Sequence, residues 1–297
     1  MINWSNWKHC RKIIIRIDDL QNTLTNLWIA IPDSCLIESQ TILDKSYKIS
    51  QISRSCSIFC VKKIFIYHDN STKAEKIDKK IMRTILEYLD TPPYLRKKIY
   101  PKMWILKHAG ILPPIKSPHH KALIDIKNIK NEIRFGFVVK QNDSLYVDVG
   151  LQELIKYKGT QLGKKVLVKI SNNGQLLAED VAKEELDGYW GYDVKFADSL
   201  SALLENTNCE ILMTSVEGLQ FTKHVDNLMG NLKLSKNLLV VFGGPKFGLK
   251  KILEFENKKI SQNHYFLNMF PNQGTQTVRL EEAILGTLSI VNNYLYT

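Results

Sequence analysis

Cysteine is scarce and unpatterned in this chain: Cys10, Cys35, Cys56, Cys60 and Cys209 are odd in number and contain no C-x-x-C pair. That excludes a disulfide framework and offers no zinc-ligand spacing, so no metal is expected and the compartment should be reducing. Cys56 and Cys60 are spaced to share one helix face, where two thiols pack as core residues more often than they ligate. Long hydrophobic runs are missing too. No stretch of eighteen apolar residues occurs, and the charged and polar residues from Lys8 to Asp19 leave no apolar core for a signal peptide. The expectation is a soluble, cytoplasmic protein with no membrane partner. Internal repeats and low-complexity segments are absent as well. Acidic charge is in deficit: the net charge of +11 predicts attraction to polyanions, RNA foremost.

Two nucleotide-binding signatures are also lacking. A dinucleotide fingerprint needs G-x-G-x-x-G in the first strand-helix unit, whereas LLVVFGGPKFGL at 238–249 runs G-G-x-x-x-G near the end of the chain. No Lys-Ser/Thr pair follows these glycines, which excludes a Walker loop. What is present is a pair of strand-end glycine loops. The second lies in HYFLNMFPNQGTQTVRLEEAI at 264–284, an apolar run, a Pro/Asn/Gly turn and an amphipathic stretch. Gly243, Gly244 and Gly274 would let main-chain amides and carbonyls approach a ligand and adopt positive φ where a turn needs it. Thr277 is placed to cap a helix starting near it, with Glu281 and Glu282 at the positive end of the helix dipole. Leu280, Ile284, Leu288 and Val291, with Ala283 and Leu295, then form its apolar face. Two such loops suggest one shared pocket, although each by itself is also consistent with a plain turn.

The pattern of elements is α/β. Leu27 to Ile31 and Lys63 to Tyr67 read as strands, Ile42 to Cys60 and Ala74 to Leu89 as helices, the second stopped by Thr91-Pro92-Pro93. This order argues for a parallel sheet. From about Pro118 the texture changes to short β-rich runs, Arg134 to Lys140, Leu145 to Val149 and Lys165 to Ile170, separated by Asn142-Asp143, Gly163 and Asn172-Asn173-Gly174 turns, which reads as a small antiparallel barrel. After Gly188 the α/β pattern resumes with strands at Tyr192 to Phe196 and Glu210 to Ser215 around a Ser199 to Glu205 helix. The expected organisation is a discontinuous unit, 1–118 plus 188–297, around a module at 119–187.

Basic charge is concentrated from Tyr94 to Arg134. Arg96, Lys97, Lys98, Lys102, Lys107, Lys116, Lys121, Lys127, Lys130 and Arg134 face only Asp125 and Glu132, and Tyr94, Tyr100 and Trp104 interleave with them. Charge for phosphates and rings for an unstacked base is one reading; a solvated basic face with inward-packed aromatics is the other. His119 and His120 end the segment, either touching RNA and relaying a proton or standing as exposed hinge residues.

These segments, with YLRKKIYPKMWILKHAGILPPIKSPHH at 94–120, QISRSCSIFCVKKIFIYHD at 51–69 and DGYWGYDVKFADSLSALL at 187–204, resemble the archaeal and eukaryotic RNA methyltransferase branch of the SPOUT superfamily. The resemblance runs from about Leu27 to Val291. It implies an α/β fold whose C-terminal part, roughly 210–291, forms a trefoil knot, with an OB-like barrel inserted into the methyltransferase domain. It further implies a homodimer and an S-adenosylmethionine pocket near Thr214, Ser215 and Glu217, near Gly243 and Gly244, and near Asn268, Met269, Gln273, Gly274 and Thr277. The chain departs from the family pattern at Val216-Glu217, where relatives carry Glu-Arg before the glycine, and at Pro245-Lys246-Phe247, a loop one residue longer. Arg54, in the family-like Q-I-S-R-S-C block, is the candidate for orienting the target, its alternative being a solvent-facing helix arginine. The implied activity is S-adenosylmethionine-dependent methylation of RNA, ribosomal RNA first, at a uridine ring nitrogen or a ribose 2'-OH. The alternative is a non-catalytic RNA-binding assembly factor with the same fold.

Overall fold

A computed structural model describes residues 25–120, 131–172 and 175–295. Cys10, the Lys8 to Asp19 segment, Lys121, Asp125, Lys127, Lys130 and the Asn173-Gly174 turn lie outside the described residues. Eleven strands fall into two sheets among these residues.

The first sheet has the order β11-β9-β10-β1-β2-β8, and every neighbouring pair in it is parallel. Its strands are β1 (Asn26–Pro32), β2 (Lys63–Tyr67), β8 (Asp193–Ala197), β9 (Glu210–Gln220), β10 (Asn237–Val241) and β11 (Tyr265–Asn268). Parallel strands need covered faces, and the inner ones are apolar on both sides. Leu238 and Val240 of β10 point into one core with Ile29 and Ile31 of β1, while Leu239 and Val241 point into a second with Ala30. Helices α1 (Ile42–Ile58), α2 (Lys76–Asp90), α5 (Val225–Ser235) and α7 (Leu280–Leu295) cover the first face; α4 (Leu200–Glu205) and α6 (Leu249–Phe255) cover the second.

Helix boundaries follow local chemistry. The Thr41 hydroxyl accepts the Asp44 N–H at 3.1 Å while the Asp44 carboxylate takes the Thr41 N–H, a capping box that starts α1. Cys56 is buried on this helix, but Cys60 lies beyond its end at φ 55° and is exposed, so the two thiols do not share a face. Helix α2 begins at Lys76, two residues later than expected, and its terminal residues hand over to a further short helix. Pro92 holds Thr91 extended just past the end of α2, and Pro93 opens α3 (Pro93–Ile99), since a first-turn proline gives up no hydrogen bond.

The second sheet is a closed barrel, β3-β4-β5-β7-β6, built from β3 (Glu132–Gln141), β4 (Ser144–Asp148), β5 (Ile155–Tyr157), β6 (Lys165–Asn172) and β7 (Leu176–Asp180). The inferred antiparallel barrel is present and OB-like, with one parallel pair, β5 and β7. Its core is Val138, Val147, Val168 and Ile170 with their neighbours. The barrel docks on the α/β body through Leu95, Phe135 and Leu167. Beside that apolar seam Asp90, at the end of α2, is buried 3.4 Å from His119 Nε2 and 3.6 Å from Lys165 Nζ of the barrel. Burial pushes Asp90 up, but the His119 bond and the charges of Lys165 and Lys183 bring it below the ordinary carboxylate value.

Candidate functional site

The C-terminal ends of β9 and β10, the loop after β11 and the start of α7 enclose a cavity of about 400 Å³. Such a volume suits a small organic ligand. Strand β9 carries the first wall. Its pairing with β11 jumps from Phe266↔Met213 to Leu267↔Leu219, so residues 214–218 leave the ladder as a bulge. Gly218 permits this, because a Cβ there would lie 2.5 Å from the Leu267 carbonyl carbon and 2.8 Å from the Asn268 nitrogen. The bulge is tied down at its start and its middle: Thr214 Oγ1 donates to Val241 O at 3.1 Å, and Asn268 Nδ2 donates to Val216 O at 3.1 Å. Asn268 Oδ1 also accepts the Phe270 N–H at 2.9 Å, fixing the turn into the last loop.

The second wall is the loop after β10. Gly244 N–H donates to Phe247 O at 3.0 Å, closing a tight turn. A Cβ on Gly244 would meet Asp69 Oδ2 at 3.0 Å and Ser34 Oγ at 3.2 Å, and one on Gly243 would meet Gly248 Cα at 3.2 Å. Neither glycine has positive φ, so these two positions call for space rather than left-handed backbone; Gly274 has no positive φ either. The left-handed residue of the last loop is Asn272, at φ 61°.

Thr214, Ser215, Glu217, Gly243, Gly244, Asn268, Met269, Gln273 and Thr277 all line this cavity. Gly274 does not, and a Cβ on it would meet nothing within 4 Å. Thr277 is not the cap that was expected. Helix α7 starts at Leu280, where the Glu282 carboxylate accepts the Arg279 N–H at 3.0 Å, and Thr277 is left free to face the cavity. Glu217 is exposed at the mouth, 3.8 Å from Lys250.

Several lining residues had no sequence signal. Lys48 of α1 reaches the cavity from the opposite side, paired with Glu281 at 3.5 Å, the two side chains only 11% and 12% exposed. Cys35 lies beside it, its thiol pushed up to about 12 by burial, and is neutral. Glu38, Lys246 and Arg279 stand at the rim. A single lysine inside an amphipathic helix carries no local mark of a ligand role; only the return of α7 against α1 brings Lys48 to the site.

Arg54 is not at this cavity. It is exposed, and its Nη1 donates to Pro114 O at 2.7 Å, clasping α1 to the basic segment.

The basic segment itself divides by structure. Arg96 Nε and Nη2 donate to Thr91 O at 2.9 Å and Leu89 O at 3.1 Å, and the guanidinium lies 4.8 Å from the Tyr88 ring. It therefore caps the carbonyl end of α2 instead of facing solvent. Lys98 is paired with Asp148 of the barrel. His119 is buried and His120 half-buried, and both rings reach the Asp90 carbonyl oxygen, at 3.1 and 2.9 Å. The exposed-hinge reading of this pair is corrected: the His119 ring packs on Phe135 of the barrel, and both rings reach the end of α2. Lys97, Lys102, Lys107 and Lys116 are exposed and form no ion pair among the described residues. Of the rings, Tyr94 donates to Phe135 O at 2.8 Å within the domain seam and Tyr100 packs edge-on against Tyr88, while Trp104 is open. Among the described residues no cluster of His, Cys, Asp and Glu could hold a metal, and no helix is long and apolar enough to cross a membrane.

With this geometry in place, comparison with known proteins is decisive about the family. The family model described as "Putative RNA methyltransferase" matches residues 26–291. The chain belongs to this family. The match spans both the parallel sheet and the barrel, so the methyltransferase family includes the whole described body. The chain is similar to a 28S rRNA (uridine-N(3))-methyltransferase of Homo sapiens, 28% identical over 89% of this chain and 77% of that protein. A protein of the same name in Drosophila melanogaster is 28% identical over 95% of this chain and 64% of its own length. An uncharacterized protein of Haloarcula marismortui is 25% identical over 88% of this chain and 96% of its own. An RNA methyltransferase needs a methyl donor.

Proposed function

We propose that the chain transfers a methyl group from S-adenosylmethionine to N3 of a uridine in ribosomal RNA. The observation that carries this reading is the convergence of three strand-end loops on the 400 Å³ cavity, which contains every expected donor-site residue but Gly274. The residues fit the donor chemically. Phe242, Phe270 and Leu280 offer apolar cover for a flat ring, while Gly243 and Gly244 add no side chain of their own to that wall of the cavity. The largely shielded Lys48, paired with Glu281 at 3.5 Å, brings a positive charge to the cavity for a carboxylate or for a developing anion.

The donor, when bound, supplies a methyl group already activated by the positive charge on sulfur. The protein then has to hold the acceptor in line, exclude water and deal with one proton. In this reading the Lys48 ammonium stabilises the negative charge that spreads onto the uracil carbonyl oxygens as N3 loses its proton, and the Glu38 carboxylate at the rim receives that proton. Arg54, fixed to Pro114, orients the RNA strand from outside the cavity.

Further parts of the reading follow the family resemblance. The loops of 210–291 are threaded as a trefoil knot, the module at 119–187 presents RNA to the α/β domain, and the enzyme works as a homodimer in the cytoplasm. The exposed Val216, Leu219 and Leu285 are suitable apolar surface for a dimer contact. Calorimetric titration with S-adenosylhomocysteine and primer extension on treated ribosomal RNA test the reading together. Binding with a new N3-dependent stop supports it; binding without any modification favours the non-catalytic assembly factor, and no binding rejects the donor site.

A further inference from the structure

We propose that a groove beside α2, away from the donor cavity, is a docking site for one unpaired nucleotide of single-stranded RNA, its base stacked on Trp104. The inference rests on the RNA reading above and adds a specific contact to it.

The groove has a volume of about 490 Å³ and is lined by Tyr88, Tyr100, Lys102, Met103, Trp104 and Lys107, with Pro101, Leu106 and Ala109. No acidic side chain lines it. Trp104 is 56% exposed, a large flat surface left in water. Ile105, the next residue, is buried and anchors the turn. The Leu106 N–H donates to Met103 O and the Lys107 N–H to Trp104 O, each at 3.1 Å, so the indole is carried by a closed turn rather than a loose loop. Such presentation lowers the ordering cost of a stacked partner.

Two further features select the partner. Lys102 and Lys107 flank Trp104 in the chain, are exposed, and form no ion pair among the described residues. An exposed ring between two uncompensated ammonium groups matches a base with a phosphate on either side, the arrangement used by proteins that hold single strands. Duplex RNA keeps its bases stacked and cannot offer a face to the indole. The groove floor is rigid as well: Tyr88 and Tyr100 meet edge-on at 5.4 Å, and the Arg96 guanidinium braces Tyr88.

The groove is also mechanically linked to the donor side. Arg54 ties its segment to α1 through Pro114, and Lys48, which lines the donor cavity, is on the same helix. Six residues of helix separate the two attachment points by about 9 Å along the axis. A strand gripped at Trp104 would therefore be held by a segment fastened to the helix that also lines the cavity.

The test uses the full chain, a fluorescein-labelled twelve-nucleotide oligouridylate, and the same strand in a duplex, read by fluorescence anisotropy. W104A should weaken single-strand binding about tenfold and leave duplex binding within twofold, while W104F stays within threefold of the parent. The K102A/K107A double variant should reduce the salt slope for the single strand by roughly one to two units. Unchanged single-strand affinity in W104A, or an equal loss for the duplex, overturns the proposal. So does a fall in molar mass of W104A by light scattering, which would make the ring a contact between copies of the chain. S-adenosylhomocysteine binding should be the same in every variant. If the parent protein binds neither RNA, the RNA reading itself fails; if the parent binds and W104A matches it, only this site fails.

Discussion

Replacing Gly218 by alanine should damage the donor site from a position that does not line it. The new Cβ would stand 2.5 Å from the Leu267 carbonyl carbon, 2.7 Å from its Cα and 2.8 Å from the Asn268 nitrogen, all main-chain atoms with no rotamer to yield. Reaching ordinary contact requires β11 to move away from β9 by about 0.9 Å, enough to lose much of the attraction across that seam. Overpacking of this kind typically costs about 1–3 kcal/mol of stability. The same shift displaces Asn268 and Met269, so S-adenosylhomocysteine binding should weaken by about tenfold, roughly 1.4 kcal/mol. Gly274→Ala is the matched control: its Cβ points into open space, and both stability and binding should be unchanged. Denaturant unfolding and calorimetry of the two variants decide the matter. Wild-type stability and affinity in G218A would refute the argument that the β9 bulge and β11 shape the cavity, and an effect of G274A as large as that of G218A would refute it equally.

Arg96→Ala should destabilise the protein by about 1–3 kcal/mol in urea unfolding, because two carbonyls at the end of α2 lose their donor, whereas Lys97→Glu with Lys116→Glu should leave stability alone and flatten the salt dependence of RNA binding by roughly one to two units. Lys48→Met should cut methyl transfer at least tenfold while the fold survives, since the methionine fills the same space without its charge; full activity would remove Lys48 from the mechanism. Stability should decline as pH falls below about 6.5: burial holds His120 below the ordinary histidine value, so the unfolded chain takes up its proton first. Asp90, held below the ordinary carboxylate value, adds stability above about pH 3.9 that is lost as pH falls through its lower folded value. His120→Asn should flatten the pH 5–7 part of the unfolding profile, and an unaltered profile would contradict the assignment.

How much could be read in advance depended on the range of the interactions. The strand at Lys63–Tyr67 was legible because its apolar residues and bounding turns lie in five consecutive positions, and Leu238–Val241 because a strand buried on both faces is apolar throughout. The two strand-end loops were legible as glycine-bearing segments, and most of the residues named in them meet at one cavity. Gly218 was not, since what it must avoid is main chain about fifty residues later. Thr277 was read as a cap by its position before an apolar periodic run, but the Glu282 carboxylate serves the Arg279 N–H instead. Arg96, His119 and His120 were read as surface by their neighbours in the chain. They are drawn inward because the end of α2 exposes carbonyls and because Asp90 is buried under the barrel. The three-residue β5 and β7, whose apolar residues run together before two acidic ones, gave no clear alternation, and only closure of the barrel defines them.

The most direct test of the central claim is nucleoside mass spectrometry of ribosomal RNA incubated with the purified chain and S-adenosylmethionine carrying a deuterated methyl group. The account predicts labelled 3-methyluridine, cut at least tenfold in Lys48→Met and reduced in Gly218→Ala. Label found only on a ribose 2'-oxygen would contradict the assigned acceptor, and a protein that binds the donor yet leaves every nucleoside unlabelled would contradict the enzyme.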